Sequence, residues 1–142
     1  MKKTKFILFA VVPLMLGIGG CVSTGDTGPE YLVTYHNSRN SLDWAGVYAG
    51  VIPSASGSGI EVRITLNLDY TFEMRYRYID RNGEFLFTGT FVWDDTGGII
   101  TLDSGNRHSY YRVGENILIM LDSEGNRIIG NLEENYILRK EF

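Results

Sequence analysis

The chain is poor in most of the residues that carry chemistry. It has one cysteine, three prolines and two histidines in 142 residues. A single thiol excludes an internal disulfide. His36, His108, Met74 and Met120 stand at no metal-ligand spacing, so no metal site is expected. Basic runs are absent beyond the N-terminus, which disfavours a nucleic-acid partner. No window has the 3.6-residue apolar period of an amphipathic helix. Nucleophile-elbow, phosphate-loop and dinucleotide motifs are missing. The carboxylate pairs Asp94-Asp95 and Glu133-Glu134 are adjacent in sequence, so as strand or turn neighbours they do not face a common substrate. His108-Ser109 fails as a base–nucleophile pair for the same reason. Asp122-Ser123-Glu124-Gly125-Asn126 lacks the acidic spacing of a calcium loop and reads as a hairpin turn. The expectation is a protein that is not an enzyme and carries no cofactor.

No apolar run is long enough to span a bilayer. The longest, Phe6 to Gly20, is broken by Pro13 and several glycines. Lys2, Lys3 and Lys5 precede it, which makes residues 1–20 a secretory signal peptide. Leu16-Gly17-Ile18-Gly19-Gly20-Cys21 resembles the lipobox of bacterial lipoproteins. The resemblance implies cleavage before Cys21, diacylglycerol on its sulfur, and acylation (palmitate) of the new N-terminus. Several acyl chains anchor firmly where one binds marginally. Val22 follows the cysteine rather than Asp, which by the sorting rule of enteric bacteria implies the outer membrane, with the domain facing the periplasm. Loss of residues 1–20 removes three of 13 basic residues and none of 17 acidic ones, leaving a net charge of −7. Residues 21–41 read as the lipidated cysteine and a flexible tether, in which Tyr31–Tyr35 has the composition of a short strand.

What the sequence has in abundance is glycine (17), tyrosine (9) and phenylalanine (7). From Trp44 onward these residues fall on a period of two. Val62, Ile64, Leu66 and Leu68 alternate with polar residues, as do Phe72, Met74, Tyr76 and Tyr78. Phe85, Phe87, Gly89, Phe91 and Trp93 share one face of the next strand. Further strands are expected at 47–52, 99–102, 109–113, 117–121 and 136–139. Asp69-Tyr70 and Asp80-Arg81-Asn82-Gly83 mark hairpin connections. About eight antiparallel strands in one domain, residues 42–142, make an all-β barrel or sandwich. Gly89 marks a bend or bulge. A barrel of eight strands is filled by side chains or holds one small ligand. Arg63, Arg75 and Arg77, interspersed with Glu61 and Glu73, form either a solvated face of cross-strand pairs or a patch that docks anions.

The stretch Leu42-Asp43-Trp44-Ala45-Gly46-Val47-Tyr48-Ala49-Gly50-Val51-Ile52-Pro53 resembles the start of the NlpE family N-terminal domain. Gly59-Ile60-Glu61, Ser109-Tyr110-Tyr111-Arg112 and Leu118 to Ile128 continue the likeness, which covers residues 42–139. The resemblance implies a partly open, lipocalin-like β-barrel on an outer-membrane lipoprotein linked to copper resistance and envelope-stress signalling. The family's Cys-x-x-Cys after the proline is replaced here: its cysteine positions hold Ser54 and Gly57. Neither supplies a thiolate, so copper handling is not carried over. What remains is a Gly/Ser loop, with Ser54, Ser56, Gly57 and Ser58 as a candidate interaction surface. Two functions are expected in competition. The first is stress sensing or adaptor work through an envelope protein partner. The second is carriage of a small apolar ligand inside the barrel.

Overall fold

The structure, a computed structural model, describes residues 36–142. The signal peptide, Cys21 and the tether through Tyr35 lie outside the described residues. The alternating segments form eight strands: β1 (Gly46–Ser54), β2 (Gly57–Leu66), β3 (Thr71–Tyr78), β4 (Glu84–Trp93), β5 (Ile99–Asp103), β6 (His108–Gly114), β7 (Ile117–Met120) and β8 (Ile137–Glu141). Each pairs antiparallel with the next, and β8 returns to β1 through Val47↔Glu141, Tyr48↔Lys140 and Ala49↔Arg139, so the sheet closes into a barrel. Closure gives every strand a neighbour on both sides over at least part of its length, which shortens the free edge that an open sheet leaves to other chains.

The period of two sets which side chains enter. Tyr48, Ile64, Ile100, Tyr111, Leu118 and Leu138 point inward and are fully buried. Arg63, Arg75 and Arg77 alternate with them and face out. A transmembrane barrel has the opposite polarity, apolar outside and polar within. This exterior belongs in water.

Several boundaries differ from the sequence reading. Leu68, placed on a strand by alternation, lies in the β2–β3 turn and is 78% exposed. The turn takes four residues, Asn67 to Tyr70. Asp69 Oδ1 accepts from the Thr71 N–H at 3.0 Å and from its hydroxyl at 2.6 Å. Tyr70 adopts φ 64°, a left-handed conformation uncommon for a ring-bearing residue. Its ring stacks on Trp44 at 5.9 Å, which holds it there. The Gly/Ser loop is also shorter than expected. Ser54 pairs with Gly57, and only Ala55 and Ser56 make the turn.

Residues 38–41, assigned to the tether from sequence, form one helical turn, α1 (Ser38–Ser41), docked on the barrel. Asn37 caps it by accepting from the Asn40 N–H. The Ser38 hydroxyl donates to the Val113 carbonyl at 2.7 Å, and the Arg39 N–H donates to the Gly97 carbonyl at 3.0 Å. Four residues with no apolar period carry no helix signal, so only these contacts make the turn form.

One end of the barrel is plugged. Trp44 lies edge-on to Phe91 (5.6 Å) and Trp93 (5.7 Å). The Tyr48 hydroxyl reaches back to donate to the Trp44 carbonyl at 2.7 Å. Lys140 points inward beside Tyr48, its side chain only 6% exposed. Its ammonium leaves the apolar wall to bond the Asp43 carbonyl at 2.6 Å and carboxylate at 3.0 Å.

The connection Asp94–Gly98 at the same end hangs on Asp94. Its carboxylate accepts from the N–H of Gly98 (3.0 Å) and Ile99 (2.9 Å) and from the Thr96 hydroxyl (2.6 Å). Partial burial opposes ionisation, but these hydrogen bonds outweigh it and hold the acid below its usual pKa. Asp94→Ala is expected to cost about 1–3 kcal/mol in urea unfolding, because the bonded N–H groups lose their acceptor. The sign for pH follows from the lowered pKa. The carboxylate stabilises the fold above its unfolded pKa, and that contribution fades as pH falls through the folded one. The variant's deficit should therefore shrink in acid.

Candidate functional site

At the end opposite the plug the strands do not all reach the rim. β3 and β4 pair along their length, from Thr71↔Thr90 to Arg77↔Glu84. β4 and β5 pair only from Thr90↔Asp103 to Trp93↔Ile100. The half of β4 from Glu84 to Gly89 therefore overhangs its short neighbour. The crossing point is Gly89. A Cβ there would lie 1.9 Å from the Asp103 carbonyl oxygen and 3.1 Å from Phe72. The expected bend is thus a close approach of two backbones, which only glycine allows.

The gap opens a cavity of about 290 Å³ at the barrel mouth, lined by Ile52, Ile60, Tyr76, Tyr78, Phe85, Phe87 and Arg107. Met74 and Phe91 are buried and Trp93 packs against them, so the lower barrel is filled. Phe85 is 51% exposed. The interior is therefore divided: solid below, open and aromatic above. Tyr76 packs edge-on against Phe87 at 5.8 Å, and Tyr78 against Phe85 at 6.1 Å.

Arg107 comes from the β5–β6 turn and was not among the residues singled out from sequence. Its guanidinium carbon sits 4.9 Å from the Tyr76 ring centroid and 5.2 Å from that of Phe87. Nη2 donates to the Tyr76 hydroxyl at 3.4 Å. Below it the Tyr111 hydroxyl points at the Met74 sulfur, 3.8 Å away. Burial, with Tyr76 nearby, pushes the Tyr111 pKa well up against the opposing pull of Arg107, so it stays a neutral phenol. A lone arginine in a turn has no sequence pattern. Only the overhang of β4 places it over aromatic rings.

The candidate loop forms part of the mouth rim. The Ser58 N–H and hydroxyl both donate to the Asp80 carboxylate, the hydroxyl at 2.9 Å. These bonds hold Asp80 below its usual pKa. Arg81 donates to the Ser56 hydroxyl at 3.1 Å. The β1–β2 hairpin is thus tied to the β3–β4 turn. Ser54 and Gly57 stand directly opposite each other, and a Cβ on Gly57 would lie 3.9 Å from Ser54 Oγ. A Cβ on Gly57 would also meet Asp80 Oδ2 at 2.8 Å, and the residues present do not fit copper: one hydroxyl and one glycine offer no soft donor.

The remaining candidates stay apart. His36 contacts Ser41 (3.4 Å) and His108 contacts Asp103 (3.4 Å). His108 is exposed and Ser109 buried, on opposite faces of β6. Asp122 closes its own turn by accepting from the N–H of Glu124 (2.9 Å) and Asn126 (2.8 Å). Among the described residues no group of three or more His, Cys, Asp or Glu is placed to hold a metal ion. On the outer face Arg63 pairs with Glu141 (2.6 Å), Arg75 with Glu73 (2.8 Å) and Arg77 with Glu61. The charged stripe is therefore a set of exposed ion pairs, each worth little, and its guanidiniums are already partnered.

These features define a class: a small water-facing antiparallel barrel, plugged at one end and open at an aromatic mouth. The chain belongs to the NlpE family, matching the NlpE N-terminal domain over residues 48–131. It is 40% identical over 83 residues to lipoprotein NlpE of Escherichia coli K12, across 57% of this chain and 35% of that protein. The chain thus spans about a third of that relative's length. A crystal structure of a Shewanella oneidensis protein assigned as a lipoprotein superposes with TM-score 0.69 at 50% identity, covering 74% of this chain and 95% of that one. The crystal structure of the Escherichia coli Cpx pathway activator NlpE gives TM-score 0.53 at 32% identity, over 61% and 46% of the two chains.

Proposed function

We propose that the protein is an outer-membrane lipoprotein, held by lipid on Cys21, whose barrel faces the periplasm and acts in envelope-stress sensing or as an adaptor. It works by contact rather than by catalysis. The observation that supports this most is the family match along the barrel, taken with a relative described as a Cpx pathway activator. The lipobox-like segment ending at Cys21 supports the anchor. Loss of sulfur at Ser54 and Gly57 separates this chain from copper handling.

The test uses the full chain in a host that carries the Cpx pathway and a reporter for it. Overproduction is expected to raise the reporter, and Cys21→Ala to abolish that response by releasing the domain from the membrane. Added copper is expected to change nothing. Silence from the anchored chain, or equal signals from both forms, defeats the reading. A second reading, carriage of a small apolar ligand, is favoured by one observation: the mouth cavity, with its exposed Phe85.

A further inference from the structure

The arginines of this protein differ in how their charge is met. Arg63, Arg75 and Arg77 on the outer face each hold a glutamate. Arg107, among the described residues, has no carboxylate within ion-pair distance. Its contacts are two aromatic rings and one phenol oxygen. The rim carboxylates bond other donors. Asp80 accepts from Ser58, and Asp103 accepts from the Gly105 N–H at 2.7 Å and contacts His108. A second guanidinium, Arg81, lies over Tyr78 at 5.8 Å. Arg107 is thus a guanidinium at the mouth whose charge no side-chain carboxylate among the described residues meets at ion-pair distance. Beneath that charge is a largely apolar cavity with Tyr76 in its wall.

We propose that the mouth binds a single-tailed amphiphile bearing a carboxylate, with the head on Arg107 and the tail among Ile60, Tyr78, Phe85 and Phe87. This deepens the carrier reading and rests on it. The pairing follows from three features of the site. A guanidinium presents parallel N–H donors that match a carboxylate. Its stacking on Tyr76 and Phe87 keeps it beside the apolar wall instead of in open solvent. About 290 Å³ lies at the small end of ligand pockets, which run from roughly 300 to 1,000 Å³. It therefore admits one slim tail and not a two-tailed phospholipid. The missing upper half of β5 is the entrance.

The experiment titrates the chain lacking residues 1–20, with Cys21→Ser to prevent acylation, by calorimetry. The probes are decanoate, decanol and decyltrimethylammonium, each kept below its aggregation threshold. The expected result is decanoate binding about tenfold tighter than decanol, the scale of a charge-assisted contact, with the cation weakest. Arg107→Gln is expected to erase that preference and leave decanol affinity unchanged. Ile60→Trp, which fills the cavity, is expected to abolish binding of both. Thermal melts of both variants check that they fold. Equal binding of decanoate and decanol, or a preference that survives Arg107→Gln, overturns the head-group assignment and leaves the carrier reading standing. If none of the three probes binds, both fall.

Discussion

Gly89→Ala is expected to be among the most damaging single methyl additions in this protein. The new carbon would lie 1.9 Å from the Asp103 carbonyl oxygen and 2.9 Å from its carbonyl carbon. No rotamer change relieves that overlap, because the obstacle is backbone. Either β5 moves away from β4, breaking the pairing that starts at Thr90↔Asp103, or β4 bends outward. Added bulk in a packed interior commonly costs 1–3 kcal/mol, and a backbone clash belongs at or above the top of that range, about 3 kcal/mol or more. Thr88→Ala, one residue away on an exposed position, should stay within about 0.5 kcal/mol. Urea unfolding of the two variants reads the difference. Near-equal stabilities would mean that β5 can drift from Gly89 freely, and the fixed mouth inferred from this crossing would be lost with it.

Tyr48→Ala is expected to cost about 3–5 kcal/mol, the range for removing a large buried ring. Tyr48 is wholly buried and fills the plugged end, where its hydroxyl ties β1 to the Trp44 carbonyl. Tyr48→Phe keeps the ring and removes only that donor, leaving a buried carbonyl unmet, so about 1–3 kcal/mol is expected. The same hydroxyl makes the fold sensitive to alkali. Burial, with the Asp43 charge adding to it, pushes the Tyr48 pKa up to about 12 from 10.0. A raised pKa means that the neutral phenol stabilises the fold fully below the unfolded value and that this contribution is lost as pH rises through the folded one. Unfolding and tyrosinate absorbance should therefore rise together between pH 10 and 12. Tyr48→Phe should blunt the part of that loss due to this residue. Ionisation of every tyrosine near pH 10 with the barrel intact would contradict the burial of Tyr48 and Tyr111 alike.

The strands were legible because alternation reports burial directly. Val62, Ile64 and Leu66 face a core and Arg63 faces water whatever the neighbours are. Leu68 shows the limit of that rule. It continues the pattern for one step, yet the turn chemistry of Asp69 with Thr71 ends β2 before it. The charged face was legible as residues but not as function. Whether Arg63, Arg75 and Arg77 await an anion depends on Glu141, Glu73 and Glu61, and Glu141 is brought alongside only by barrel closure. Lys140 and α1 were not legible. Each is set by contacts to distant segments, Asp43 in one case and Val113 in the other.

By its own pattern, the sequence determined an all-β domain with an apolar interior, most of its turns, and a β1–β2 loop without a thiol at Ser54 or Gly57. These follow from side-chain period, backbone preference and donor chemistry, all of which act locally. The tertiary structure alone decided that the barrel is solid at one end and open at the other. That asymmetry comes from strand lengths and register. β5 stops at Asp103, where the chain turns back into β6 and its carbonyl lies against Gly89, so the remainder of β4 is left without a partner on that side, and Arg107 is set over two aromatic rings that are far from it in sequence.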